Sequence, residues 1–102
     1  MNNKEFDELL QSRIKKIVTT LKSKSKEYAT EDKLYNFKVA ARINNTTPAK
    51  ALWGMATKHL VSVLDIINGK RLITNDMIDE KLGDMINYII LLEAIFKEKH
   101  GS

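Results

Sequence analysis

The sequence predicts an all-α fold, a compact bundle of about four helices that oligomerises through its last helix. Three observations predict it. Apolar residues recur at three-and-four spacing through most of the chain, which is the spacing of one helix face. The breaks between those stretches carry helix stop and start residues, Thr47-Pro48 and Asn68-Gly69 among them. No segment shows the two-residue alternation of a strand, and neither an internal repeat nor a low-complexity tract interrupts the pattern. At 102 residues the chain reads as one domain over 1–100, with Gly101-Ser102 as an appended remnant. A chain of this length shields a limited share of its surface, so association between copies would add stability.

The first helix spans about residues 3 to 27, with Phe6, Leu9, Leu10, Ile14, Ile17, Val18 and Leu21 on one face. Lys22, Lys24 and Lys26 near its end oppose the negative pole of the helix dipole and read as a solvated helix end. Tyr28-Ala-Thr-Glu-Asp32 breaks the pattern. Thr30 is the expected N-cap, with Glu31 and Asp32 in the first turn of a second helix over about 31–43 that buries Leu34, Phe37 and Ala41. Asn44-Asn-Thr-Thr47 forms a loop, and Pro48 suits the first position of a third helix over about 48–68. That helix turns the stripe Ala49, Leu52, Ala56, Leu60, Val63 and Ile67 to a core, while Ala51, Gly54 and Ala56 allow close helix approach.

After a basic loop with Lys70 and Arg71, Thr74 or Asn75 caps the last helix, and Asp76 and Asp79 lie in its first turn. Its expected seam is Ile78, Leu82, Met85, Ile89, Leu92 and Phe96, widened by Ile86, Ile90 and Leu91. A helix apolar around most of its circumference sits in the middle of a domain or in a subunit interface, and here both are expected.

Composition narrows the function classes. The chain has no cysteine, hence no disulfide framework and no thiolate nucleophile, which fits a reduced compartment. No apolar run reaches the ~18 residues of a membrane span, and Met-Asn-Asn-Lys-Glu-Phe6 lacks the apolar middle of a signal peptide, so a soluble cytoplasmic protein with no membrane partner is expected. The net charge of +4 with a pI near 9.3 is mild attraction to phosphate-bearing partners. Nucleic acid is not favoured, because the lysine run has no interleaved aromatics beyond Tyr28.

Candidate chemistry concentrates on the last two helices. Glu80, Asp84 and Asn87 or Tyr88 are neighbours by helical spacing, and two carboxylates one turn apart can share magnesium or manganese. The alternative is that Glu80 and Asp84 are solvated acids near a helix start, paired with Lys81 or Lys58. Asn87 lies deep in the apolar run, where an amide must find partners. On the third helix Lys58, Ser62 and Asp65 form a polar strip, and His59 is offset toward the core, either packed or a ligand contact. No second histidine stands at zinc spacing. Trp53 either fills a core or interface or stacks on a base, and Arg42 and Lys38 could meet phosphate. There is no glycine-rich phosphate loop, nucleophile elbow or Ser/His/Asp order.

The motifs Lys26-Glu-Tyr28, Asn36-Phe37, Thr46-Thr-Pro-Ala-Lys-Ala-Leu-Trp-Gly-Met55, Lys58-His59 and Asp79-Glu-Lys-Leu-Gly-Asp-Met-Ile-Asn-Tyr88 are similar to small phage and prophage proteins of unassigned role. Over residues 24 to 97 they also resemble the nucleotide-modification-associated domain of phage genomes. Glu80-Lys-Leu-Gly-Asp84 further resembles the second acidic motif of the MazG-type all-α nucleotide pyrophosphohydrolases, which hold magnesium with a second acidic pair on the preceding helix. Here Lys81 stands where that family has a glutamate, and Lys58-His-Leu-Val-Ser-Val-Leu-Asp65 offers one acid.

The resemblance implies a nucleotide-directed scaffold, and the exchanged charges move the expectation from catalysis to binding. The expected function is a phage-encoded binder of a nucleotide, cyclic nucleotide or nucleotide-derived signal, acting in the cytoplasm of an infected bacterium against host defence. Its expected ligand residues are Arg42, Trp53, Lys58, His59, Asp84, Asn87 and Tyr88, with no catalytic residue. The first alternative is a magnesium-dependent pyrophosphohydrolase using Asp65, Glu80 and Asp84 as metal ligands. The second is an interaction module that inhibits a host or defence enzyme through the basic end of the first helix and the apolar face of the last.

Overall fold

The structure is a computed structural model that describes residues 1–27 and 32–100, with the backbone alone for 23–27. The side chains of Lys24 and Lys26, the Tyr28 and Thr30–Glu31 expectations and the terminal Gly101-Ser102 lie outside the described residues. Every described element is helical, and no helix is long and apolar enough to cross a membrane. The chain divides into two compact units, Met1–Glu31 and Asp32–Ser102.

The first unit is α1 (Asn3–Glu27), with the bounds that the periodicity predicts. The Asn2 side-chain oxygen accepts the Glu5 N–H at 2.8 Å and so caps the first turn. Phe6, Leu9, Leu10, Ile14 and Val18 on the apolar stripe are exposed, while Ile17 and Leu21 are half-buried.

In the second unit, α2 (Tyr35–Ile43) begins four residues later than the expected Glu31. The cause is Asp32. Its carboxylate accepts the Leu34 N–H at 2.9 Å and the Lys38 ammonium at 2.7 Å, which commits 32–34 to a turn ahead of the helix. The hydrogen bond from Lys38, then that from Leu34, holds the Asp32 carboxyl below its ordinary value. Hydrogen bonds to Asp32 and Glu98 in turn hold Lys38 above its own. Through the ion pair with Glu98, Lys38 also ties the start of α2 to the end of the last helix.

α2 ends in a Schellman turn: the Thr46 N–H reaches the Ala41 carbonyl at 2.8 Å and the Asn45 N–H the Arg42 carbonyl at 3.3 Å. Asn45 takes the left-handed conformation this requires, with φ of 53°. α3 (Pro48–Ile67) starts as expected, with Pro48 in its first turn and the Thr47 hydroxyl accepting the Lys50 N–H at 3.2 Å. It closes on a second Schellman turn, in which Lys70 N–H bonds Asp65 and Gly69 sits at φ of 72°. The last run is capped by Thr74, whose hydroxyl accepts the Met77 N–H at 3.1 Å. It comprises α4 (Asn75–Met77), a π-helical segment (Ile78–Leu82) and α5 (Gly83–His100).

The core is small. α3 lies between α2 and α5 and supplies the fully shielded Leu52, which clusters with Leu34, Phe37 and Ile95, with Ala49, Tyr88, Leu91 and Leu92 packed against them; Ala41 of α2 and Ala56 of α3 are also buried. Two expectations need correction. Ile67, placed on the core stripe, is 71% exposed in the last turn of α3. The seam of the last helix is also displaced: Gly83, Asn87 and Ile95 are buried, whereas Leu82, Ile86, Ile89, Ile90 and Phe96 are exposed. On a helix that is apolar nearly all round, side-chain size does not mark the inward face. The face that meets α3 is the one that carries Gly83 and Asn87.

Leu52→Ala removes the one large side chain with no exposed surface among the described residues. It is expected to cost about 2–5 kcal/mol, read from the urea midpoint, and a loss well under 1 kcal/mol would show that the cavity closes. The Asp32–Lys38 pair gives a pH signature. Because Asp32 is lowered, its contribution is complete above its ordinary 3.8 and disappears as pH falls through the lowered value. Because Lys38 is raised, its contribution is complete below 10.5 and disappears as pH rises through the raised value. The melting temperatures of the parent and of Lys38→Met should therefore differ by a constant amount from about pH 5 to 9 and converge in stronger acid.

Candidate functional site

An open cleft of about 550 Å³ lies where α2, its Schellman turn, α3 and α5 meet. Ala40, Asn44 and Thr46 form one wall, Lys50, Ala51, Gly54, Met55, Lys58 and His59 of α3 the floor, and Tyr88 of α5 the opposite side. Lys50, Gly54 and Lys58 are one turn apart, so the helix presents two cations on one face with a gap between them. Gly54 is that gap. A Cβ there would meet nothing within 4 Å, so Gly54 does not serve the close helix approach expected of it but leaves the cleft floor open.

His59 is the polar centre of the site. Its Nδ1 lies 3.4 Å from a carboxylate oxygen of Asp84, and its ring packs on Tyr88 with centroids 5.4 Å apart and planes tilted by 45°. The Asp84 contact is within ion-pair range, yet its alignment is not that of a hydrogen bond, and Nδ1 is buried without a hydrogen-bond partner in the protein. One residue before Tyr88, Asn87 is 8% exposed, and its side-chain oxygen is likewise buried and unpartnered. Such unpartnered atoms are unusual, since buried polar groups are nearly always hydrogen-bonded.

The structure brings together part of the expected ligand set. Lys58, His59 and Tyr88 line the cleft, Asp84 contacts His59, and Asn87 is buried beside Tyr88 in sequence. Arg42 and Trp53 are exposed and outside the cleft lining. Lys50, Asn44, Thr46, Gly54 and Met55 line it without having been singled out for it. For Lys50 the signal was present in the chain: two lysines eight residues apart on a helix share a face, and here a glycine stands midway.

The carboxylates considered for magnesium do not converge. Asp65 lies 3.9 Å from Arg71, Glu80 pairs with Lys81 at 3.2 Å, and Asp84 faces His59. Among the described residues no group of three or more His, Cys, Asp or Glu side chains is placed to hold a metal ion. The Ser62 and Thr57 hydroxyls donate to the Lys58 and Trp53 carbonyls one turn back, at 3.3 and 2.7 Å.

No family model, curated protein or solved structure matches the chain.

The orphaned amide of Asn87 yields a test that needs no ligand. Asn87→Leu replaces it with an apolar side chain of similar size and is expected to raise stability by about 1 kcal/mol, because the desolvation penalty disappears. A fall of similar size in the urea midpoint would show that the amide is satisfied within the fold.

Proposed function

We propose that this chain binds a nucleotide or nucleotide-derived signal in the cleft between α2, α3 and α5, without turning it over. One observation carries the reading: two lysines on one helix face share a cleft with a histidine whose buried nitrogen has no hydrogen-bond partner. Lys50 and Lys58 provide the charge that phosphate oxygens require, and His59 adds a hydrogen-bonding group between them and α5. The Tyr88 ring offers an apolar face for a base, and Asn44 carries an amide suited to its polar edges. The volume of about 550 Å³ falls in the range of small-molecule sites. The resemblance to phage proteins suggests the setting, in which the protein sequesters a defence signal or interferes with host nucleotide metabolism.

A second reading has its own support. Val61, Leu64 and Ile67 on α3 and Ile86, Ile89 and Ile90 on α5 are large apolar side chains left exposed. That surface suits self-association through the last helix or an interaction module directed at a host or defence enzyme.

Isothermal titration of the full chain with the common ribonucleoside triphosphates and a set of cyclic dinucleotides tests the first reading. Saturable heat is expected with at least one of them. Lys50→Ala and Lys58→Ala should each weaken it about tenfold or more, in line with the loss of a charged hydrogen bond. Absence of heat with the whole set, or affinity unchanged in both variants, would overturn it. Magnesium-dependent pyrophosphate release that vanishes in Asp84→Ala would replace binding with hydrolysis.

A further inference from the structure

We propose that α1 pairs antiparallel with α1 of a second copy of this chain. The stripe that the periodicity assigns to a core is open to solvent, with Phe6 at 53%, Leu10 at 45% and Ile14 at 51% exposure. A helix of 25 residues is about 37 Å long, and a stripe running along most of it gains little from helix propensity alone; such helices are held by a partner that covers the apolar face.

The distribution of charge names the partner. Residues 4–8 carry Glu5, Asp7 and Glu8 against Lys4 alone, whereas residues 13–22 carry Arg13, Lys15, Lys16 and Lys22 and no carboxylate. A parallel pair would set each block beside its own copy, acids on acids and bases on bases. In an antiparallel pair the acidic block of one copy lies along the basic block of the other, which is the arrangement that charge complementarity selects. Aligning the stripes end to end brings Leu10 opposite the partner's Ile17 and Glu5 opposite the partner's Lys22, with Ile14 next to the twofold axis. The interface is isologous and closes as a dimer.

The test uses the full chain. Sedimentation equilibrium should show a dimer that Leu10→Glu converts to monomer, Leu10 being exposed and so free to change without disturbing the second unit's core. Orientation is read from spin labels, for which the absence of native cysteine leaves a clean background. In the dimer, labels on Asn3→Cys should lie roughly 30 Å apart and those on Ser12→Cys within roughly 20 Å, from the rise per residue of the helix. Short distances from both labels would mean a parallel pair and overturn the proposal. So would a monomer at every concentration, or a dimer that survives Leu10→Glu.

Discussion

Leu52 is the contact on which the second unit depends. It sits on α3 with no exposed surface, in one cluster with Leu34 and Phe37 of the α2 region and Ile95 of α5. α3 packs against both neighbouring helices, so the wall and the floor of the cleft hold their places only while this small cluster is intact. Away from it the same helix carries Lys50, Gly54 and Lys58, so packing and ligand chemistry are divided between faces of one element. Lys38 reinforces the packing away from the cleft, joining Asp32 before α2 to Glu98 near the end of α5. At that degree of exposure the pair is screened, and its value lies in fixing where α2 begins.

The second constraint is an excess of apolar surface. Among the described residues the buried hydrophobics are Leu34, Phe37, Ala41, Leu52, Ala56 and Ile95, while isoleucines 86, 89 and 90 and most of the α1 stripe are exposed. A chain this short buries a smaller share of its surface than a larger domain does. The second unit also holds polar atoms of His59 and Asn87 away from water without hydrogen-bond partners, at a cost in stability.

What the sequence made legible was local. Thr47-Pro48, Asn68-Gly69 and Thr74 act within one turn of themselves, so their capping roles could be read directly and the structure has them. The start of α2 could not be read, because Asp32 acts through Lys38 six residues away. The inward face of α5 was hidden for another reason: amphipathic periodicity identifies a face only when the other faces are polar. The five-residue π segment carries no compositional mark at all. Lys58, His59 and Tyr88, expected from residue type and spacing to lie near one another, line one cleft. Asn44 and Thr46 enter it through a Schellman turn whose left-handed residue is an asparagine rather than the more usual glycine.

Amide chemical-shift mapping of the labelled full chain, titrated with the tightest-binding nucleotide or cyclic dinucleotide, tests most directly that the cleft is the functional site. Saturable shifts should concentrate at 44–46, 50–59 and 83–88, with little change along α1. Saturable shifts confined to α1 or to the outer faces of α3 and α5, with the amides around Lys58, His59 and Tyr88 unmoved, would contradict it.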